Sequence, residues 1–275
     1  MSARYPERIV CLTEETTETL YLLGEERRIV GISGYTVRPP RARREKPRVS
    51  AFLSARVDKI LELKPDLVLG FSDLQADIAR DLAKAGMNIM IFNQRSVAEI
   101  LSMVQMLASL VGAAEKGAAL VERLETGLQE VSEAAKRFAR RPRVYFEEWD
   151  EPMISGIRWV SELVEIAGGE DIFPELSRSQ GASGRVVSDP SAVIQRKPEV
   201  MLASWCGKKF RPERVAARPG WQDVPAVRDG QLFEIKSAEI LQPGPAALTD
   251  GVRRMHSILR DFLSGGGRTR RSGGA

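Results

Sequence analysis

Two kinds of apolar spacing alternate along the chain. Runs at 8–12, 28–33, 67–71 and 88–92 have the length and β-branched content of buried strands. Between them, apolar residues recur every three to four positions over 15–23, 57–63 and 74–85, and Gly24 and Gly86 close the first and last of these helical stretches. Thr13-Glu14-Glu15-Thr16 suits the start of the first helix. Residues 37–48, rich in proline and arginine, read as a solvated crossover loop. Beyond Pro142 the alternation restarts, with strands at 143–147, 200–204 and 232–235. A helix over 159–167 ends at Gly168-Gly169, and another over 246–263 closes the chain. Strands alternating with helices predict parallel sheets.

The longest periodic stretch lies in the middle. Val97, Ile100, Leu101, Val104, Leu107, Ala108 and Val111 mark one helix, and Gly112 breaks it. Ala118, Val121, Leu124, Leu128, Val131, Ala135 and Phe138 mark the next, with no proline before Pro142. Over 114–137 this second helix would be roughly 36 Å long at ~1.5 Å per residue, a stiff spacer between two βα-patterned halves. The expected fold is therefore α/β, with two βα lobes on central parallel sheets joined by one long rigid backbone helix. Its parts would be an N-terminal lobe over 1–113, the connecting helix over 114–141, a C-terminal lobe over 142–263 and a disordered tail over 264–275. An internal echo supports two related lobes. Residues 60–69 match residues 193–202, and each copy ends a helix at Lys-Pro, places an acid next and then begins an apolar strand.

Composition narrows the functional classes. The 275 residues are 43% hydrophobic and 28% charged, the balance of a globular protein, and no apolar run reaches membrane-spanning length. The net charge is +4, but Arg268, Arg270 and Arg271 lie in the tail. The body is close to neutral, which argues against nucleic acid as a partner. Cys11 and Cys206 are too few for a disulfide framework, and Cys11 sits in a strand pattern as a small buried hydrophobe. No basic start or apolar leader is legible. As written, the sequence places the product in the cytoplasm, and a periplasmic or cell-surface location would require a leader removed beforehand.

Chemistry is sought where strands end, because open parallel sheets bind ligands outside the carboxyl ends of their strands. The first lobe offers Glu14, Tyr35, Ser72 and Asp73. The second offers Glu148, Trp149 and Asp150, then Trp205 and Cys206, then Ser237, Glu239 and Gln242. Trp149 and Trp205 at strand ends suit a large, flat, partly apolar ligand, or else cover the core of their own lobe. Catalytic constellations are scarce. His256, the one histidine, lies in the closing helix as a surface or packing residue, and neither zinc spacing nor a phosphate loop is present. The acids Glu147, Glu148, Asp150 and Glu151 read as a solvated loop that could instead hold a cation or serve as acid and base. Cys206, two residues before Lys208, has the setting of a lowered-pKa thiol without a partner histidine.

The motifs Arg8-Ile-Val-Cys-Leu-Thr with Thr17-Glu18, Val30-Gly-Ile-Ser-Gly-Tyr35 and Lys64-Pro-Asp-Leu-Val-Leu carry a family resemblance. So does Ile154-Ser-Gly-Ile-Arg-Trp-Val with Ala167-Gly-Gly-Glu-Asp-Ile-Phe173. Over residues 8–263 the chain resembles the metal-chelate class of substrate-binding proteins, which serve ABC importers of cobalamin, haem and ferric siderophores. It is most similar to the cobalamin branch. The resemblance implies a class III periplasmic-binding-protein-like fold and capture of a corrinoid between two lobes. It also implies a monomer with a metal chelate as its small-molecule partner and an ABC permease as its docking partner. No catalysis, resident cofactor or metal site is implied. Tyr35 and Phe52 fall where that branch sets aromatic residues against the corrin ring, Phe52 replacing a tryptophan. Ser204-Trp-Cys-Gly-Lys208 and Leu241-Gln-Pro-Gly-Pro245 look like cleft loops of the second lobe. The expected ligand set is Glu14, Tyr35, Phe52, Trp149, Trp205, Cys206, Glu239 and Gln242. Permease docking would fall to Asp58 and Asp189. Asp58 is shorter than the usual glutamate, and Asp189 stands one or two places before the family position, which Pro190-Ser191-Ala192 occupies. A siderophore or haem carrier is the alternative of the same class. A chelate-processing enzyme using Glu148, Asp150 and Cys206 is the alternative of another class.

Overall fold

The computed structural model describes residues 5–265. By contact the chain forms two compact units. The first takes residues 5–94, Ala98–Glu125 and Gln242–Ala246, and the second takes Arg95–Val97, Thr126–Leu241 and 247–265. The expected tail beyond Gly265 lies outside the described residues.

The first unit is built on β1 (Ile9–Cys11), β2 (Ile29–Ser33), β3 (Arg48–Ser50), β4 (Leu67–Phe71) and β5 (Ile89–Phe92). Every pairing is parallel and the order is β3-β2-β1-β4-β5. β1 and β4 are buried throughout, which explains why both read as continuous apolar runs rather than alternating ones. The order reverses between β1 and β4, the switch point at which such sheets bind ligands. β3 lies within the stretch expected to be a solvated loop. It is short and flanked by Pro47, with only Val49 buried, so it carried no apolar signature.

In the second unit β6 (Arg143–Asp150), β9 (Val200–Ala203) and β10 (Leu232–Glu234) run parallel in the order β10-β9-β6. The other edge of β6 is shared. β7 (Met153–Ser155) pairs antiparallel with its end, and β8 (Glu170–Asp171) pairs parallel with its start. The hairpin to β7 was not expected, because Glu147–Glu151 reads as a polar loop. Its core gathers Tyr145, Phe173, Trp205, Phe210 and Trp221 around the sheet.

The helix Val97–Leu110 ends at Gly112, whose φ of +75° suits glycine, and a new helix runs Ala114–Ala135 without a break. Leu120, Leu124, Leu128 and Val131 form its buried stripe, at the spacing that defined it in sequence. Contact places residues 114–125 with the first unit and residues 126–135 with the second.

The Lys-Pro-acid echo is a structural repeat. Lys64 and Lys197 both adopt left-handed backbone, with φ of 45° and 46°. Asp66 accepts the Arg8 amide at 2.9 Å and Glu199 accepts the Arg143 amide at 3.1 Å. The side chains return the contact: Arg8 Nε donates to the Lys64 carbonyl and Arg143 Nε to the Lys197 carbonyl, each at 3.0 Å. One clamp thus aligns β1 with β4 and β6 with β9.

Candidate functional site

In the first unit the chain leaves β1 directly into the helix Glu14–Leu22. Glu14 is 6% exposed and accepts the Val37 amide. Burial, with Glu15 beside it, pushes its carboxyl up to about 8. Burial likewise lifts Glu15 to about 7, although the Thr13 hydroxyl donates to it. Cys11 is buried with its thiol pushed up to about 12 by desolvation, as a core residue should be. Tyr35 follows β2 and is 57% exposed, its ring open to solvent. Phe52 is half-buried beyond β3. Its carbonyl is tied down by Gln75, which sequence reasoning missed. The Gln75 side chain accepts the Phe71 amide at 3.0 Å and donates to the Phe52 carbonyl at 2.9 Å, joining that loop to the end of β4. A buried amide four residues past a strand looks like any surface polar in sequence. Gln242 opens the segment Gln242–Ala246, which packs on the first unit. Gln94 Nε2 donates to the Pro243 carbonyl, and the Ala246 amide donates to Glu18. Asp58 is exposed, 3.9 Å from Arg56. A separate open groove of about 630 Å³ runs from Ser72, Asp73 and Asn93 between Ala79, Ala83 and Ile89. It is lined by none of the expected ligand residues.

In the second unit the acid run lies on β6 and its hairpin, not in a loop, and its members are paired. Glu147 is fully buried and meets Arg218 through both oxygens, at 2.7 and 2.9 Å. The Tyr145 hydroxyl and the Trp205 indole N–H donate to the same carboxylate. Glu148 pairs through both oxygens with the buried Arg185. Glu151, in the hairpin turn, lies 3.3 Å from Arg214. Burial would raise the Asp150 carboxyl, but the Lys208 ammonium and then Arg214 hold it below the usual range. Side chains alternate along a strand, so successive acids of β6 face opposite sides of the sheet and find different cations. Among the described residues no cluster of histidine, cysteine, aspartate and glutamate has the makings of a metal site.

Trp149 and Trp205 part company. Trp149 is half-buried. Its indole N–H donates to the Glu151 carbonyl at 2.8 Å, and the Lys208 ammonium stands 3.9 Å from the ring centre. Trp205 is 2% exposed and packs edge-on against Phe210 inside the core. It departs from the expectation of a ring presented to a ligand, because residues 207–221 fold back over it. Cys206 is exposed beside it. Glu239 is half-buried on the helix Ser237–Ile240. Asp189 is exposed, and its carboxylate accepts the Ser191 amide and hydroxyl. His256 stacks on Phe138 and contacts the Ala167 carbonyl, a packing role.

Comparison with known proteins adds an independent finding. A family model described as periplasmic binding protein matches residues 9–239. YvrC of Bacillus subtilis, named an uncharacterized ABC transporter substrate-binding lipoprotein, is 24% identical over 266 residues. The match covers 93% of this chain and 81% of that protein. A vitamin B12-binding protein of Yersinia pestis is 28% identical over 229 residues, covering 79% of this chain and 75% of that one. Among solved structures, a possible iron-binding protein of Staphylococcus epidermidis aligns with a TM-score of 0.80 at 18% identity, over 93% of this chain and 99% of that chain. The haem-binding protein RhuT of Roseiflexus aligns with a TM-score of 0.77 at 23% identity, over 92% and 99%.

Proposed function

The chain belongs to the periplasmic binding protein family, and from that premise we propose that it captures a corrinoid of the cobalamin kind for ABC-type uptake. Its fold is the α/β class of that family, and substrate binding is the family's work. The observation that carries the corrinoid reading is Trp149. Its flat ring lies at the end of β6, fixed by the Glu151 carbonyl and backed by Lys208, and it keeps part of its surface free. A rigid aromatic plane loses little entropy on stacking against another flat ring. Tyr35 in the first unit, exposed at the end of β2, supplies a second such ring. The 28% identity to a vitamin B12-binding protein favours the same ligand.

A location outside the cytoplasmic membrane goes with this reading, since the family is described as periplasmic and the B. subtilis relative is named a lipoprotein. The protein acts as a monomer and docks on a permease through Asp58 and Asp189, both exposed. Binding proceeds without chemistry. Glu148 and Asp150 are engaged by Arg185 and by Lys208 with Arg214, so neither is free to serve as acid or base.

Titration with cyanocobalamin, followed by tryptophan fluorescence, tests the reading. Saturable quenching at micromolar ligand is expected, and Trp149→Ala should weaken binding by about 1–2 kcal/mol, roughly tenfold. Absent quenching with cobalamin, together with saturable binding of haem or a ferric siderophore, would transfer the assignment to those chelates.

A further inference from the structure

Exposed apolar side chains follow the strands of the first unit. Besides Tyr35 after β2, Leu53 after β3 is 67% exposed and Leu74 after β4 is 58% exposed. A single leucine in solvent is ordinary on a protein surface. These two are held there by their surroundings.

Leu53 sits at the tip of a tight hairpin. The Ala51 amide donates to the Ser54 carbonyl at 2.7 Å, and Ser50 bridges Ala55. Phe52 and Leu53 therefore fill the two tip positions, where glycine, asparagine and aspartate are usual. Leu74 owes its exposure to the turn that ends β4. Ser72 adopts φ 63° and ψ 171°, a region that is essentially glycine's. Its amide donates to the Phe92 carbonyl at 2.8 Å, and its Oγ accepts the Leu74 amide at 3.3 Å, which pins it there. The turn leaves Leu74 outside and brings Gln75 fully inside. Gly70 makes room for that amide, since a Cβ at position 70 would stand 2.7 Å from Gln75 Oε1.

The bond from Gln75 to the Phe52 carbonyl sets the hairpin beside the turn, although β2 and β1 lie between β3 and β4 in the sheet. Leu53 and Leu74 are the immediate chain neighbours of the two residues it joins. The Gly34 amide donates to the Ser50 carbonyl at 2.7 Å, so Tyr35 follows a residue tied to the same hairpin.

We propose that Leu53 and Leu74 form an apolar lip on the ligand-binding face of this unit, and that it lies against a carbon-rich rim of the bound chelate. The lip begins at the end of β4, on the β1–β4 switch, and continues the face that Tyr35 and Phe52 start. A flat macrocycle stacked on aromatic rings turns its edge to whatever surrounds them, and a corrin carries methyl groups on that edge. Covering the two leucines with such a rim removes apolar surface from water. A chelate whose periphery is all oxygen would gain nothing from them. The identity of the ligand rests on the corrinoid reading above; the lip itself requires only methyl or methylene groups on the ligand's edge.

Equilibrium dialysis of the full chain with cyanocobalamin, and in parallel with haemin, tests the lip. Leu53→Gln/Leu74→Gln should weaken cyanocobalamin about tenfold, whereas Leu53→Met/Leu74→Met, which keeps the apolar surface, should stay within about twofold of the parent. Both side chains are exposed, so the urea midpoints of both variants should match the parent's. A glutamine variant that binds as tightly as the parent overturns the lip and leaves the corrinoid reading standing. Equal losses in the two variants also overturn it, as does a lowered midpoint in the glutamine variant, which would assign the leucines to the packing of the unit. A parent that takes haemin alone, with the same loss in the glutamine variant, keeps the lip and removes the corrinoid assignment. Binding of neither chelate overturns both.

Discussion

Glu147 illustrates what a single residue does here. It sits fully buried on β6 and gathers Arg218, Tyr145 and Trp205 onto one carboxylate. The nearby charge, with burial first, drives the Tyr145 hydroxyl well above its ordinary range, so the phenol stays a donor. Removing one partner strands the other. Arg218→Met should cost about 3–5 kcal/mol of stability in urea denaturation, because an uncompensated carboxylate is left in the core. All the tryptophans lie in the second unit, at 149, 159, 205 and 221, so intrinsic fluorescence reports that unit. Trp205 shows the limit of strand-end reasoning. Its position past β9 was legible, but its burial depends on Phe210, which packs edge-on against it, and on the core cluster that both join.

At the scale of elements, the Arg…Lys-Pro-acid clamp recurs in both units. It joins the start of one strand to the start of its neighbour through backbone and side-chain hydrogen bonds. Arg8→Ala and Arg143→Ala should each destabilise by about 1–2 kcal/mol, with similar shifts in urea midpoint, since each loses charge-assisted bonds to a helix-end carbonyl. Lys197→Gly should stabilise by about 0.5 kcal/mol, because glycine enters the left-handed region without strain but gives back part of the gain as unfolded-chain entropy. Gly244→Ala should destabilise by about 1–3 kcal/mol through overpacking against Glu15, read as a lowered thermal midpoint. The Lys-Pro-acid half of the clamp was visible as a sequence echo. The arginines were not, because each lies more than 50 residues from its partners.

For the whole molecule, opposing carboxyl shifts set a pH optimum. Glu14 and Glu15 are raised by burial, so the folded chain holds extra protons and loses stability as pH rises from the ordinary carboxylate range to about 8. Burial would raise both Asp150 and Glu199, but Lys208 with Arg214 holds the first low, and the Arg143 amide followed by the Arg140 guanidinium holds the second. Their contribution is present near neutrality and vanishes as pH falls through their lowered values. Thermal melts from about pH 3 to about pH 9 should therefore trace a dome with its maximum on the acid side of neutrality. A midpoint still rising at pH 8 would contradict the burial of the glutamate pair.

Sequence alone determined the alternation of strand and helix, the parallel sheets, the long helix from Ala114 and the family motifs. These rest on local spacing, which the period of each element imposes directly on its residues. Tertiary structure alone decided which acids were paired, which tryptophan stayed partly open, and that Gln242–Ala246 returns to the first unit. Burial and charge pairing are made by residues far apart in the chain. No periodicity records a contact such as Gln94 with Pro243, 149 positions away, so those outcomes appear only once the chain has folded.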